Sequence, residues 1–212
     1  MKKPVRILCA VDASPPAAAA FEQALALSAH RKAQLVVVHA VSKDGPSSWG
    51  ALERAAALAV LRDKLDQLNL YPDGDCFYLK QGLARKLGVG PDNLIFGNGS
   101  NEIIELAART FLRPGDEAVM AEQAFVVYQL IVQAVGAQSR AVPLRNFTHD
   151  LQALAEAVSA RTRIIFLANP NNPTGTIYRR DDWERFLEKV SPEALLVVDG
   201  AYFEYVRDGK YP

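Results

Sequence analysis

Apolar runs of strand length alternate with helical periods along the whole chain, and this alternation limits the fold more than any other feature of the sequence. Seven runs are predicted as strands, over residues 5–11, 34–41, 94–96, 117–120, 138–144, 163–167 and 194–198. Most of them are rich in Val, Ile and Leu, as is typical of parallel strands that are buried on both faces. The pattern predicts an α/β protein: a three-layer sandwich with a mostly parallel central sheet of about seven strands.

Helical periods fill the intervals between these strands. We predict helices over residues 15–30, 48–68, 77–87, 101–112, 125–135, 151–159 and 181–190. Gly88 and Gly136 stand where a left-handed residue commonly ends a helix. The sequence has no obvious linker, so we expect residues 1–212 to form a single α/β domain, with a possible fusion seam at residues 60–71 where the composition changes.

Charge and composition exclude several classes of partner. The 24 Lys and Arg residues balance 24 Asp and Glu residues, so the attraction that drives most nucleic-acid and anionic-membrane binding is missing. Cys9 and Cys76 have no CxxC spacing, which favours buried thiols in a reducing cytoplasm. Arg6 and Asp12 interrupt any signal-peptide core and no apolar run is long enough to span a membrane, so we expect a cytoplasmic protein. The histidines lack metal-ligand or triad spacing and are assigned surface or packing roles: His30, His39 and His149.

Three polar segments follow predicted strands, at the edge where open parallel sheets bind ligands. Residues 97–102 (GNGSNE) place two glycines at the start of a helix, which predicts a cradle for a small anion or a tight turn capped by Ser100 or Asn101. Residues 169–175 (NPNNPTG) predict an extended loop whose Asn side chains point into a crevice, or a stiff turn. Asp199 and Tyr202 add a carboxylate and a phenol, unless Asp199 only caps a turn.

Together these segments resemble the fold type I aminotransferases that depend on pyridoxal phosphate, and among them the histidinol-phosphate aminotransferases. The resemblance covers about residues 71–212. Its motifs are YPDG at 71–74, LARKLGV at 83–89, the segments 93–105 and 111–120, ANPNNPTG at 168–175 and the segment 198–206. The resemblance implies that the protein uses pyridoxal phosphate as its cofactor.

For the cofactor phosphate, the resemblance implies a binding site at the start of the helix that follows the GNGSNE loop. Gly99, Ser100 and Asn101 occupy the matching positions. Tyr71 matches a residue that reaches the phosphate in a neighbouring subunit, which implies a homodimer.

For the pyridine ring, the resemblance implies contacts from three further segments. Phe125 would stack on the ring, and Asn172 and Tyr202 would contact its oxygen. Asp199 would pair with the ring nitrogen. A buried carboxylate facing that nitrogen keeps it protonated and makes the ring an electron sink.

Two departures from the family alter what we expect of the activity. The family usually reads Asp-Glu-Ala-Tyr where this chain has Gly200 in the second place. The lysine that forms the Schiff base lies on a downstream Ser-Lys segment in the family and is absent here, as is the small domain that binds the substrate. We therefore expect a truncated or chimeric aminotransferase-like protein that retains most of the cradle and is inactive. The alternative is Lys43, which follows Ser42 and a predicted strand and would enter the site if that strand replaced the missing one.

Residues 1–60 resemble the opening β-α-β segment of a universal stress protein. Asp12 stands where that family contacts an adenine nucleotide, but the Gly-x-x-Gly phosphate loop is missing and Asp12 also fits a helix N-cap. In a chimera, this unit would supply edge strands and helices that the aminotransferase part lacks. Three functional classes stay open: a module that binds pyridoxal phosphate, a nucleotide-binding protein, and a folded protein without a ligand.

Overall fold

Seven parallel strands form one sheet in the computed structural model, which describes residues 6–11, 34–40, 74–209 and 211–212. The strands are β1 (Arg6–Val11), β2 (Gln34–Ala40), β3 (Leu94–Gly97), β4 (Glu117–Ala121), β5 (Gln138–Val142), β6 (Thr162–Ala168) and β7 (Leu195–Asp199). Their order across the sheet is β3-β2-β1-β7-β6-β4-β5, and every neighbouring pair is parallel. The predicted α/β class with a mostly parallel sheet is confirmed.

Helices connect the strands within residues 74–209. They are α1 (Phe77–Leu87), α2 (Gly99–Phe111), α3 (Val127–Ala134), α4 (Leu151–Glu156) and α5 (Arg180–Lys189). The bounds of α1 are those predicted, α2 begins two residues before the predicted start, and α3 and α4 are shorter than predicted. Gly88 and Gly136 have φ of 67° and 75°, so both are left-handed as predicted. The helices predicted at 15–30 and 48–68 lie outside the described residues.

The side chains of β6 show how the sheet is buried on both faces. Ile164 and Phe166 pack in a core with α2 and α3, whereas Ile165 and Leu167 pack in a second core with α4 and α5. All four are fully buried. Because successive residues of a strand point to opposite faces, an unbroken apolar run requires helices on both sides. The result is the predicted three-layer arrangement.

The two N-terminal strands lie inside the sheet. β1 pairs with β7, where Cys9 lies opposite Val198, and β2 pairs with β3, where Ala40 lies opposite Gly97. The expectation that this unit supplies edge strands is wrong for the two strands that the structure describes, since the edges of the described sheet are β3 and β5. Without β1 and β2, β3 and β7 would each leave a row of unpaired backbone groups, and the inserted pair satisfies both rows. The single-domain interpretation stays a prediction.

Three further expectations concern the described part of the chain. None of its helices is long and apolar enough to cross a membrane. It holds no group of three or more His, Cys, Asp and Glu side chains suited to a metal ion. Cys76, just before α1, is a free thiol but is half-buried, whereas a buried thiol was expected; Cys9 lies in β1.

Candidate functional site

Five of the residues predicted to contact a cofactor meet at the carboxyl edge of the sheet. They line one cavity of about 40 Å³: Ser100, Phe125, Asn172, Asp199 and Tyr202. They come from the segments that follow β3, β4, β6 and β7. The parallel sheet thus brings together side chains that are far apart in sequence, because the carboxyl ends of its strands share one edge.

The remaining predicted residues lie elsewhere. Gly99 and Asn101 flank Ser100 in the first turn of α2 and do not line the cavity. Tyr71 and Lys43 lie outside the described residues.

Two glycines shape the backbone where β3 passes into α2. Gly99 has φ of 75°, a left-handed conformation that residues with a Cβ rarely adopt. A Cβ added at Gly97 would lie 2.7 Å from Cδ1 of Ile103, so a larger residue here would have to displace the end of that side chain. Glycine is therefore favoured for different reasons at the two positions: a nearby side chain at 97 and a left-handed backbone at 99.

The cap of α2 differs from the cap that the sequence predicts. The N-cap is Asn98, so the alternative with Ser100 or Asn101 as cap is wrong. The left-handed Gly99 lets the helix begin before either of them. The Asn98 N–H donates to the Glu102 carboxylate, whereas the next amides belong to the first turn, which has no intrahelical acceptors. An anion at this end of α2 would find those amides and the positive end of the helix dipole.

Asp199 is the buried acidic residue of the site. It is 7% exposed, and its two oxygens each accept one hydrogen bond, Oδ2 from the Tyr128 hydroxyl at 2.6 Å and Oδ1 from the Ala201 N–H at 3.1 Å. Among the described residues no cation pairs with it. Burial raises the pKa of Asp199, and the two hydrogen bonds oppose that rise. The Asp199 carboxyl group can therefore accept a further hydrogen bond from a cationic partner.

Tyr128 is the site residue that sequence reasoning missed. It is fully buried in α3, stacks on Phe166 with ring centres 4.8 Å apart, and meets the edge of Phe125 at 5.7 Å. A tyrosine on the apolar face of a helix normally belongs to a core. Its partner Asp199 is 71 residues away, and the one local signal is that Tyr128 lies one helical turn after Phe125.

The loop at 169–175 uses its three Asn side chains differently. The Asn171 amide donates to the Gln123 carbonyl at 3.0 Å, so its oxygen faces His149 Nε2 at 2.9 Å and that nitrogen carries the proton. Asn169 accepts from the Tyr178 N–H and is also buried. The expectation that the Asn side chains point into a crevice holds for Asn172 among the cavity-lining residues, whereas the other two fix the loop.

The pair on the outer side of the cavity is looser. Asn172 donates to the Tyr202 hydroxyl at 3.4 Å, a long hydrogen bond, and the Tyr202 side chain is 45% exposed.

His149 is buried in the core, where burial lowers its pKa. The packing role predicted for His149 is thus observed.

A larger cavity of about 390 Å³ lies between α4 and α5 and holds none of the predicted site residues. It has a basic lining, but the arginines there already have acidic partners. The pairs are Arg145–Asp150, Arg179–Asp208 and Arg185–Asp182, at 3.4, 3.3 and 2.6 Å. The chemistry therefore favours the smaller cavity as the candidate site.

Comparison with known protein families covers the segments that form the smaller cavity. The family described as aminotransferase class I and II matches residues 20–211, which is most of the chain. The chain belongs to the aminotransferase class I and II family. The match includes much of the segment that resembles a universal stress protein, and that second resemblance stays a prediction.

Individual aminotransferases are similar over a shorter span. Histidinol-phosphate aminotransferase 2 of Nitrosospira multiformis is 51% identical over 150 residues, 71% of this chain and 38% of that protein. Histidinol-phosphate aminotransferase of Moorella thermoacetica is 48% identical over 156 residues, 74% of this chain and 40% of that protein. The chain thus spans about two fifths of the length of the curated relatives it matches.

The fold matches solved aminotransferases over more of the chain. The structure of histidinol-phosphate aminotransferase from Sinorhizobium meliloti in complex with pyridoxal-5'-phosphate has a TM-score of 0.69 at 26% identity. The match covers 89% of this chain and 50% of that one. Structural similarity therefore extends beyond the 150 or so residues in which sequence similarity is high.

Proposed function

We propose that the cavity at the carboxyl edge binds pyridoxal phosphate, as the cofactor-binding part of an aminotransferase of the histidinol-phosphate type. One observation carries the proposal: four side chains from four segments line one cavity with a buried carboxylate that has no cation among the described residues. A carboxylate in that state fits a ring with a protonated nitrogen. When bound, pyridoxal phosphate supplies an electron sink for a developing carbanion.

Asp199 is assigned to the ring nitrogen. Removing a carboxylate from water is costly unless it is paired, and within the described part of the chain Asp199 has two donors, both neutral. A cationic nitrogen would complete its shell. The residue would in return hold the proton on that nitrogen.

Ser100 is assigned to the phosphate, together with the first amides of α2. Gly99 gives the backbone its left-handed turn, and Asn101 follows on the same turn. Amides without intrahelical acceptors and the helix dipole both favour an anion here. Tyr71 of a neighbouring subunit is assigned to the same phosphate and makes a homodimer part of the proposal.

Phe125, Asn172 and Tyr202 are assigned to the ring itself. Phe125 is half-buried and would cover one ring face. The amide of Asn172 and the hydroxyl of Tyr202 are the polar groups beside it and would contact the ring oxygen. Their long mutual hydrogen bond is one that a ligand oxygen would replace at little cost.

We further propose that the 212-residue chain binds the cofactor weakly and does not catalyse transamination. The cavity of about 40 Å³ is well below the roughly 300 Å³ at which small-molecule pockets begin. No described lysine lines it. Gly200 leaves no side chain where the family usually has Glu. Covalent catalysis needs a positioned amine, which a distant surface lysine does not replace.

Lys43 is the alternative source of that amine. The hypothesis requires the N-terminal strands to occupy the place that a strand downstream of β7 has in the family, and β1 and β2 do lie between β7 and β3. However, the strand beside β7 is β1, whereas Lys43 comes three residues after the end of β2. This arrangement favours the inactive chain.

The N-terminal unit is proposed as a structural part of a chimera. The place of β1 and β2 inside the sheet supports this role. The proposal predicts that the N-terminal unit and the rest of the chain unfold together as one cooperative unit. Urea unfolding followed by fluorescence and by circular dichroism should give coincident transitions. Two separated unfolding transitions would contradict this part of the proposal.

Titration with pyridoxal phosphate tests the site. The spectrum of the bound cofactor gives the dissociation constant for the wild type, for Ser100→Ala and for Ser191→Ala, a matched control at the opposite end of β7. We expect weaker binding in Ser100→Ala and no change in Ser191→Ala. Equal affinity in all three, or no binding by the wild type, would refute the assignment.

Borohydride reduction followed by mass spectrometry tests the catalytic part. We expect scattered labelling of lysines at most. Specific labelling at Lys43 that Lys43→Ala abolishes would overturn the inactive interpretation and establish Lys43 as the reacting group.

A further inference from the structure

Tyr128 is held in place by packing that does not depend on its hydroxyl. Its ring is fully buried, nearly parallel to Phe166 at an interplanar angle of 6° and perpendicular to Phe125 at 90°. Aromatic contacts of this kind fix a ring on two sides. The position of the hydroxyl is therefore set before any partner is bound.

That hydroxyl is one of the two donors to Asp199 that the described residues provide. It lies 2.6 Å from Oδ2, and the Ala201 N–H lies 3.1 Å from Oδ1. One donor on each oxygen fixes the rotation of the carboxylate group. Each oxygen can still accept a second hydrogen bond.

The direction of this hydrogen bond is also fixed. Burial, followed by the charge of Asp199, raises the pKa of the Tyr128 phenol well above its usual value, so the phenol remains a donor. For Asp199, burial raises the pKa and the Tyr128 hydrogen bond is the larger of the two contacts that lower it. Removing the hydroxyl leaves burial opposed by a single backbone amide.

We propose that Tyr128 is a positioning residue of the site, whose hydroxyl orients the Asp199 carboxylate and maintains a buried charge there for a ring with a cationic nitrogen. The inference rests on the proposed function for the identity of that ring. It adds a selectivity to the site: a planar heterocycle with a protonated nitrogen binds better than the same ring with carbon in that place. Tyr128 itself lies beneath the cavity and is not among its lining residues.

The first test needs no cofactor. The Asp199 carboxyl carbon is followed by NMR as a function of pH in the wild type, in Tyr128→Phe and in Tyr178→Phe, with Asp199→Asn to assign the signal. Tyr178→Phe is the matched control, since Tyr178 is equally a buried tyrosine but packs in the core on the other face of the sheet. We expect the Asp199 midpoint to rise in Tyr128→Phe and to stay in place in Tyr178→Phe. An unchanged midpoint in Tyr128→Phe would overturn the proposal.

The second test measures selectivity. Dissociation constants are compared for pyridoxal phosphate and for its analogue with carbon in place of the ring nitrogen. The wild type should prefer the nitrogen ring, and Tyr128→Phe should lose roughly tenfold in affinity for it, as for a hydrogen bond to a charged group, with little change for the analogue. An equal loss for both rings would mean a merely structural role and would contradict the proposal.

A third variant guards against a folding failure. If Tyr128→Phe does not fold, 3-fluorotyrosine at position 128 makes the phenol a stronger donor in the same shape. The Asp199 midpoint should then fall, and a midpoint that does not move would overturn the proposal. Failure of the wild type to bind pyridoxal phosphate would refute the proposed function, whereas the role of Tyr128 would still be decided by the Asp199 titration.

Discussion

Two buried carboxylates lie at opposite ends of the sheet and differ in how completely they are paired. Glu117, at the start of β4, is 2% exposed, accepts from the Ser159 hydroxyl at 2.6 Å and pairs with Arg161 and, at 3.7 Å, with Arg140. Asp199, at the end of β7, is also buried but has two neutral donors and no described cation. The Ser159 hydrogen bond and the arginines lower the pKa of Glu117, whereas burial raises that of Asp199.

The difference separates a carboxylate with a complete set of partners from the one that the proposed function assigns to a ligand. A complete shell of donors offsets the cost of burying Glu117. Asp199 retains part of that cost in the unliganded protein, which is typical of groups at functional sites. The comparison therefore assigns stability to the amino edge of the sheet and binding to the carboxyl edge.

Neutralising the two carboxylates should have different effects on stability, with a loss for Glu117 alone. Glu117→Gln should lower the free energy of unfolding by about 1–3 kcal/mol, because the neutral amide has one acceptor oxygen in place of two and no charge to pair with Arg161 and Arg140. Asp199→Asn should leave that free energy unchanged or raise it. Urea unfolding measures both, with exposed Glu122→Gln as the control for a lost surface charge. A larger loss in Asp199→Asn than in Glu117→Gln would reverse the comparison.

The same variants should differ in their pH dependence. The Glu117 contribution is present above its unfolded pKa, near 4.5, and is lost as the pH falls through its lower folded value. The Asp199 contribution has the opposite sign, because its pKa is higher in the folded protein than in the unfolded chain. It lowers the free energy of unfolding as the pH rises from 3.8 through the folded pKa, and this loss disappears in acid. Unfolding free energies of wild type and variants between pH 3 and 7 check both signs. Parallel pH profiles for the two variants would contradict the account.

Removing one partner of Glu117 should have the smallest effect. Ser159→Ala deletes the hydroxyl at 2.6 Å and leaves the arginines in place, so we expect a loss of about 0.5–1.5 kcal/mol. Ser191→Ala, at the same edge of the sheet, is the control. A loss of unfolding free energy as large as that in Glu117→Gln would show that the Ser159 hydrogen bond, and not the arginines, accounts for the stabilisation by Glu117.

The sequence was sufficient for features that depend on local patterns. Strand positions follow from runs such as residues 163–167, and the two glycines at 97 and 99 mark the passage from a strand to a helix. The meeting of Ser100, Asn172 and Asp199 follows from the rule that the carboxyl ends of parallel strands share an edge.

Features that depend on distant contacts were not predictable. The interior place of β1 and β2 is decided by which strands they pair with, and an apolar run does not specify its neighbours. Tyr128 reads as an ordinary core residue until Asp199 is placed beside it. Likewise, only the contact with Gln123 shows that Asn171 fixes the loop while Asn172 faces the cavity.

The affinity for pyridoxal phosphate of the wild type, Asp199→Asn and Glu117→Gln tests the central claim most directly. It is measured at neutral pH under conditions where all three proteins are folded. The account predicts a loss of about tenfold or more in Asp199→Asn, because the ring nitrogen loses its charged partner, and no change in Glu117→Gln. Wild-type affinity in Asp199→Asn would contradict the claim that the incompletely paired carboxylate is the centre of the site.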